Sequence, residues 1–353
     1  MPGSAGRACL FLALLGCQAT PSPRPPRAAP ELRVSPALAA RLATVGPAER
    51  SVGVVRVAAG EAVYATRSPD GERAFGPRTR FELGSVSKVF AGLLLAEAGR
   101  RGEVALADPA EKHLPPGWRL PEHAAGPIRV VHLATHTSGL PPFPSNWTDV
   151  DVARGRTTFT EAAFREGLPH ETLPFPPGSE MLYGNTGIAV LATLLAEQAG
   201  LRYGALLEAR IFGPLGMKDS LYRSARLGTR DRLDGHRGAE VVPPREDVSP
   251  LGPCCAIATS LRDMAVFLRA AIAETGPLAE SFALAGQPHA QVGFYGAVGL
   301  GWDVDDERGL LRRNGVVAGY RTTLFVSPRA RRGVFVVADE ENIDTDIIAE
   351  TFW

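Results

Sequence analysis

β-forming runs crowd the two ends of this chain and nearly vanish from its middle. Ser51–Val57 and Glu61–Arg67, with a turn near Gly60, predict a β-hairpin. Gly299–Asp305, Leu310–Asn314, Tyr320–Ser327 and Arg332–Asp339 predict short late strands, closed by a helix over Asp344–Trp353. Between them, apolar spacing predicts helices at Thr160–Arg165, Thr186–Ala199, Tyr203–Ile211 and Leu261–Glu274, parted by proline-bearing loops over Gly139–Val152 and Leu227–Ser249. Leu32–Val45 also has helical spacing. Strands need partners, so this order points to an α+β chain: one sheet built from both termini, with a mostly helical insertion over about residues 105–265.

At 353 residues and 45% hydrophobic content the chain can bury a large core. Thirty-eight basic side chains balance thirty-eight acidic ones, which gives no electrostatic footprint for nucleic acid. The N-terminus sets itself apart. Arg7 precedes an apolar stretch from Ala8 to Gly16, too short for the roughly 20 residues a bilayer span takes. Leu14-Leu15-Gly16-Cys17 resembles a bacterial lipobox, which implies a signal over residues 1–17, a lipid on Cys17 and export to the periplasmic face of a membrane. A plain secretory signal is the alternative. Pro21, Pro23, Pro25, Pro26 and Pro30 make residues 18–31 an extended tether, ahead of a folded domain over 32–353. That domain keeps two cysteines, Cys254 and Cys255, read as small buried residues rather than a framework.

The chemistry centres on Phe81-Glu82-Leu83-Gly84-Ser85-Val86-Ser87-Lys88-Val89-Phe90, a turn that delivers Ser85 into the start of a helix. Lys88 stands three residues on, on the same helix face. A serine hydroxyl becomes a nucleophile when a base takes its proton, and an ammonium with an ordinary pKa of about 10.4 is no base until burial or a second cation lowers it. The chain has only three lysines, Lys88, Lys112 and Lys218, so nearly all of its positive charge is arginine, which cannot act as a base. One of those few lysines stands where the chemistry needs it.

Two more stretches carry candidate groups. In Leu182-Tyr183-Gly184-Asn185-Thr186, a phenol and an amide two residues apart lie just before a helix, where Asn185 is also a candidate helix cap. In Arg312–Tyr320, between two late strands, Gly315 would let a substrate lie against a strand edge and the next N–H, that of Val316, would serve as an oxyanion donor with that of Ser85; an ordinary turn is the alternative. His132 and His136 have helical metal-ligand spacing but lack the glutamate of H-E-x-x-H and a third ligand, so they are read as structural. No G-x-S-x-G elbow occurs.

In this order the three stretches resemble the serine β-lactamase and penicillin-binding protein superfamily, in its class C β-lactamase-like branch, which carries S-x-x-K, Y-x-N and a K-T-G or H-x-G element. LATHTSGLP (Leu133–Pro141), IFGPLGM (Ile211–Met217), ATSLRDMAVFL (Ala258–Leu268) and GLGWDV (Gly299–Val304) look like recurring segments of the same family. The resemblance runs from about Ser51 to Trp353. It implies an antiparallel sheet flanked by helices and an acyl-enzyme formed on Ser85, with Lys88 and Tyr183 sharing proton transfer. Asn185, Arg313, Asn314, Gly315 and Val316 would bind substrate, and no metal or cofactor is implied. The expected substrate is a peptidoglycan stem peptide, with a D-alanyl-D-alanine carboxypeptidase or endopeptidase as the leading activity. β-Lactamase, carboxylesterase and a silent peptidoglycan-fragment binder are the alternatives, and membrane contact is expected only through the lipid. Arg313 stands where the family has Lys or His, and a guanidinium there would grip a substrate carboxylate and lower the pKa of Lys88 or Tyr183.

Overall fold

A computed structural model describes residues 32–69, 75–147, 159–223, 232–243 and 249–353. The expected signal, Cys17 and the tether lie outside the described residues. The chain opens with β1 (Arg33–Val34) and α1 (Pro36–Leu42), then the hairpin of β2 (Val52–Ala58) and β3 (Glu61–Arg67). Its two-residue turn, Ala59-Gly60, has φ of 50° and 83°, the positive pair that a tightly twisted hairpin requires. After β4 (Arg80–Glu82) come α2 (Ser87–Arg100), α3 (Val130–Ala134), α4 (Glu161–Gly167), α5 (Thr186–Ala199), α6 (Tyr203–Leu207) and α7 (Gly213–Leu215). Short strands β5 (Leu221–Tyr222), β6 (Gly235–Arg237), β7 (Glu240–Val242) and β8 (Ile257–Ser260) lead to α8 (Leu261–Ala271) and α9 (Ala279–Ala285). The chain then runs through β9 (Ala290–Val292), β10 (Gly296–Val298), β11 (Asp303–Asp305), β12 (Leu310–Val317), β13 (Tyr320–Ser327) and β14 (Arg332–Ala338) to α10 (Thr345–Phe352).

Nine strands form one sheet in the order β1-β3-β2-β14-β13-β12-β11-β10-β9. It is antiparallel except where β1 runs parallel to β3. The termini meet at the centre, where Val52 of β2 is the register partner of Ala338 of β14. Both strands are apolar on both faces because both faces are covered. Val55, Val57, Phe335 and Val337 belong to the core shared with α2, α5 and α8, while Val52, Val54, Val334 and Val336 pack with Leu38 and Leu42 of α1 and Ile348 and Phe352 of α10. α2 is buried around almost its whole circumference, as expected of a helix enclosed in a large core. A second sheet, β4-β8-β5, sits at the mouth of α2. Among the described residues no helix is long and apolar enough to cross a membrane.

Several expectations need correcting. The third motif is not a turn between strands: Arg313 to Val317 all lie within β12, whose partners on β13 run from Val326 opposite Leu311 to Tyr320 opposite Val317. Gly299 to Trp302 is not strand; the strands flank it as β10 and β11. The loop over Leu227–Ser249 contains the β6–β7 hairpin, and the helix expected over Tyr203–Ile211 widens after Leu207 into a π-turn at Glu208–Phe212.

Candidate active site

Strand β4 hands the chain to a 3-10 turn, Gly84–Val86, which runs straight into α2. Leu83 N–H donates to the Ile257 carbonyl of β8 at 2.9 Å and the Thr322 hydroxyl of β13 donates to the Leu83 carbonyl at 2.8 Å, so the turn is held from two sheets. Within Gly84–Lys88 only Ser85 is partly open to solvent. Lys88 is fully buried, and its Nζ donates to Ser85 Oγ at 2.8 Å and to the Cys254 carbonyl at 3.4 Å. A buried ammonium needs such partners, and here the first of them is the serine.

Tyr183 closes over this pair. Its loop is fastened to the segment after α3 by Leu182 N–H donating to the His136 carbonyl (2.9 Å) and Asn185 N–H donating to the Pro142 carbonyl (2.8 Å). The Tyr183 ring centroid lies 5.1 Å from Lys88 Nζ, 5.5 Å from Arg313 Cζ and 4.5 Å from the His136 ring. Burial pushes the phenol's pKa up, but Lys88, Arg313 and hydrogen bonds with Ser85 and Lys88 outweigh it, and the net shift is downward. Asn185 stands at the N-terminus of α5 without a side-chain capping bond. The capping alternative therefore fails: the amide is half-buried with no hydrogen bond to the described residues, while the Asn185 carbonyl accepts from Cys254 Sγ at 3.1 Å.

Strand β12 forms the third wall, and its alternation sorts the third motif. Arg313, Gly315 and Val317 are buried, whereas Asn314 and Val316 are exposed. A Cβ on Gly315 would stand 2.4 Å from the Leu83 carbonyl oxygen and 2.7 Å from Ser85 N. One on Gly84, whose φ is +55°, would stand 2.9 Å from Val316 N. Only glycine permits backbones this close, and the approach sets the backbone nitrogens of Ser85 and Val316 on the two facing segments of one crevice. Asn314 is not brought to the site through its side chain, which donates to Asp346 of α10 at 3.1 Å. Arg313 does face the site. Its Nε donates to the Gly301 carbonyl at 3.0 Å, Nη2 lies 3.3 Å from Asp303 Oδ1 outside hydrogen-bond alignment, and the guanidinium covers one side of Tyr183.

No group of three His, Cys, Asp or Glu side chains among the described residues is arranged to hold a metal. α3 ends at Ala134, so His132 and His136 do not share a helix face; His132 Nδ1 accepts the Arg129 N–H that opens α3. Cys254 and Cys255 are thiols not joined in a disulfide. Sequence reading missed three contributors: the Cys254 carbonyl on Lys88, the Gly301 carbonyl on Arg313, and His136 under Tyr183. The first two are backbone groups, invisible in side-chain chemistry, and the third was visible only as a histidine pair of metal-like spacing.

The family described as Beta-lactamase matches residues 39–348. Among curated proteins, the D-alanyl-D-alanine-carboxypeptidase/endopeptidase AmpH of Escherichia coli K12 is 29% identical over 274 residues, 72% of this chain and 69% of that protein. A Beta-lactamase of the same organism is 28% identical over 65% of this chain and 58% of its own length. The crystal structure of a Beta-lactamase/D-alanine carboxypeptidase from Yersinia pestis complexed with citrate superposes with a TM-score of 0.72 over 85% of this chain and 91% of that one, at 23% identity. With a family match spanning nearly all of the described fold, the chain belongs to the β-lactamase family, as a serine hydrolase of the β-lactamase/DD-peptidase class.

Proposed function

We propose that the protein is a peptidoglycan peptidase that cleaves stem peptides ending in D-alanyl-D-alanine through an acyl-enzyme on Ser85, and that penicillin acylates the same serine. The observation that carries this reading is the fully buried Lys88 donating to the partly exposed Ser85 hydroxyl at 2.8 Å, beneath Tyr183. Tyr183, its phenol pKa lowered by the neighbouring cations, acts as the phenolate and takes the Ser85 proton as Oγ attacks the scissile carbonyl. The tetrahedral oxyanion is received by the N–H groups of Ser85 and Val316, and the proton passes to the leaving amine as the C–N bond breaks. Water then hydrolyses the ester, returning a proton to Ser85. Asn185 offers its amide to the substrate's peptide group, and the Arg313 guanidinium beside Tyr183 supplies the positive charge that attracts the terminal carboxylate. The naming of the AmpH relative as a carboxypeptidase/endopeptidase supports the substrate class, and the β-lactamase relative supports the second reading, in which deacylation from penicillin is fast. Export as a Cys17-linked lipoprotein belongs to the same proposal.

Intact mass over time with benzylpenicillin, and separately with a tripeptide ending in D-alanyl-D-alanine, tests it. A lasting penicilloyl adduct absent from Ser85→Ala, with release of D-alanine from the peptide, supports a peptidase. Disappearance of penicillin without an adduct supports the β-lactamase reading. Neither adduct nor turnover, with a neutral ester still cleaved, overturns both in favour of an esterase. Lys88→Arg keeps the charge but not the geometry of the amine, and acylation is expected to fall nearly to the Ser85→Ala level.

A further inference from the structure

We infer that His136 is a positioning residue for Tyr183, holding the phenol over Lys88 and Arg313 from the segment that follows α3. The inference rests on the reading of Tyr183 as proton carrier only for its catalytic consequence; the placement itself is independent of it. Two separate contacts come from this residue. Its carbonyl accepts the Leu182 N–H at 2.9 Å, one residue before Tyr183, and its ring stands 4.5 Å from the Tyr183 ring at 51°. The next carbonyl, of Thr137, accepts the Gly178 N–H at 2.7 Å, so the same short segment ties down the approach to the Tyr183 loop.

His136 is an expensive way to fill this space. It adopts φ +59°, in the left-handed region that a side chain other than Asn, Asp or His enters rarely. Its ring is almost wholly buried, and Nε2 has no hydrogen-bond partner among the described residues, which carries a desolvation cost. Asn or Asp would meet the same backbone demand without placing a ring there, so the backbone alone does not account for the imidazole. What imidazole supplies is a flat face beside the phenol that stays uncharged. Burial, with Arg313 and Lys88 adding repulsion, drives its pKa well below the usual histidine value, so no third cation forms beside Tyr183. The groups that act on Tyr183 are Ser85 and Lys88 from the turn and α2, and Arg313 from β12; Arg313 in turn faces Asp303 of β11.

Ultraviolet titration of the phenolate band reads the placement directly. In the parent protein one tyrosine is expected to titrate below the ordinary value, and Tyr183→Phe removes that step. His136→Asn tolerates the left-handed backbone and keeps the main-chain bond to Leu182 while removing the ring. It is expected to move the step upward, because a phenol free to swing away loses part of the influence of Lys88 and Arg313. In parallel, kcat/KM for p-nitrophenyl acetate in the variant falls about tenfold near neutrality and recovers as pH rises, with KM little changed. Should His136→Asn fail to fold, His136→Gly meets the backbone demand outright. A tyrosine step at the same pH in parent and variant overturns the inference, even if the variant is less stable. A shifted step in a protein whose Ser85 is never acylated leaves the placement standing and sinks the proposed function instead.

Discussion

Replacing Gly315 with alanine probes the contact on which the catalytic geometry rests. The added methyl carbon would meet the Leu83 carbonyl oxygen at 2.4 Å, Ser85 N at 2.7 Å and Thr322 Oγ1 at 2.9 Å. Two of these are backbone atoms at the start of the turn that carries Ser85, so neither can swing aside. Moving the nearest out to an ordinary contact of 3.4 Å takes a retreat of about 1 Å by β12 or the turn. Overpacking of this kind costs about 1–3 kcal/mol, and the Thr322 to Leu83 hydrogen bond lies in the same crevice and adds about 1 kcal/mol if it breaks. The expected loss of stability is therefore about 2–4 kcal/mol. A displacement of about 1 Å between Ser85 and Val316 lowers the acylation rate about a hundredfold. Urea unfolding gives the first quantity, and the rate of Ser85 labelling by a fluorescent penicillin or a fluorophosphonate, under conditions where the variant is folded, gives the second. Gly99→Ala, in α2, is the control: the added Cβ would meet the Val104 carbonyl oxygen at an ordinary 3.6 Å, and alanine there is expected to raise stability by about 0.5–1 kcal/mol. Labelling of folded Gly315→Ala within a few fold of the parent would refute the role given to this approach.

Three further outcomes follow from the same structure. Arg313→Ala is expected to lower kcat/KM for a peptide ending in a free carboxylate about tenfold more than for a neutral ester, the worth of one hydrogen bond to a charged group; equal losses on the two substrates remove the carboxylate role. Burial lifts the Asp263 carboxyl to about 6, with the Ser220 hydrogen bond opposing and Asp219 adding. The folded value thus lies above the unfolded one, the folded state holds the proton more tightly, and stability falls between about pH 4 and 6 by at most about 3 kcal/mol. Asp263→Asn should lack that slope, and a parent–variant difference in urea midpoint that is flat across the window contradicts the assignment. Ser260→Ala removes the cap that accepts the Asp263 N–H and the hydroxyl that donates to Asp219, for an expected loss of about 1–2 kcal/mol by thermal unfolding; an unchanged midpoint counts against the cap.

Where local chemistry and tertiary contacts agree, the sequence was legible almost to the residue. The strand Glu61–Arg67 and the helix Thr186–Ala199 are found at the expected bounds, one beginning at a glycine turn, the other ending at Gly200 in the left-handed conformation that stops helices. Where they conflict, tertiary pairing wins. Asn314-Gly315 reads as a turn by residue preference, yet β13 pairs with it along its whole length and keeps it extended. Glycine is there for the closeness of the Ser85 turn, a reason that no local pattern announces. The Ser85–Lys88 pair was legible because three residues along a helix start is a local distance, and the structure makes it a 2.8 Å hydrogen bond. His136, the Cys254 carbonyl and the Asn314 bond to Asp346 arise from segments far apart in the chain, and only the completed fold brings them together.

The pairing of β2 with β14 has a consequence for how the molecule comes into being. Val52 and Ala338 are partners across almost the whole length of the chain, and such distant pairing makes folding slow. During synthesis β2 and β3 emerge early and find no neighbour on the open edge of β2 until the last strands have left the ribosome. The platform beneath Ser85, which needs β12 and β13, is equally late. The nascent chain thus stays incompletely folded for as long as its C-terminal strands are missing, and a product truncated before β14 would expose the unpaired edge of β2 and aggregate.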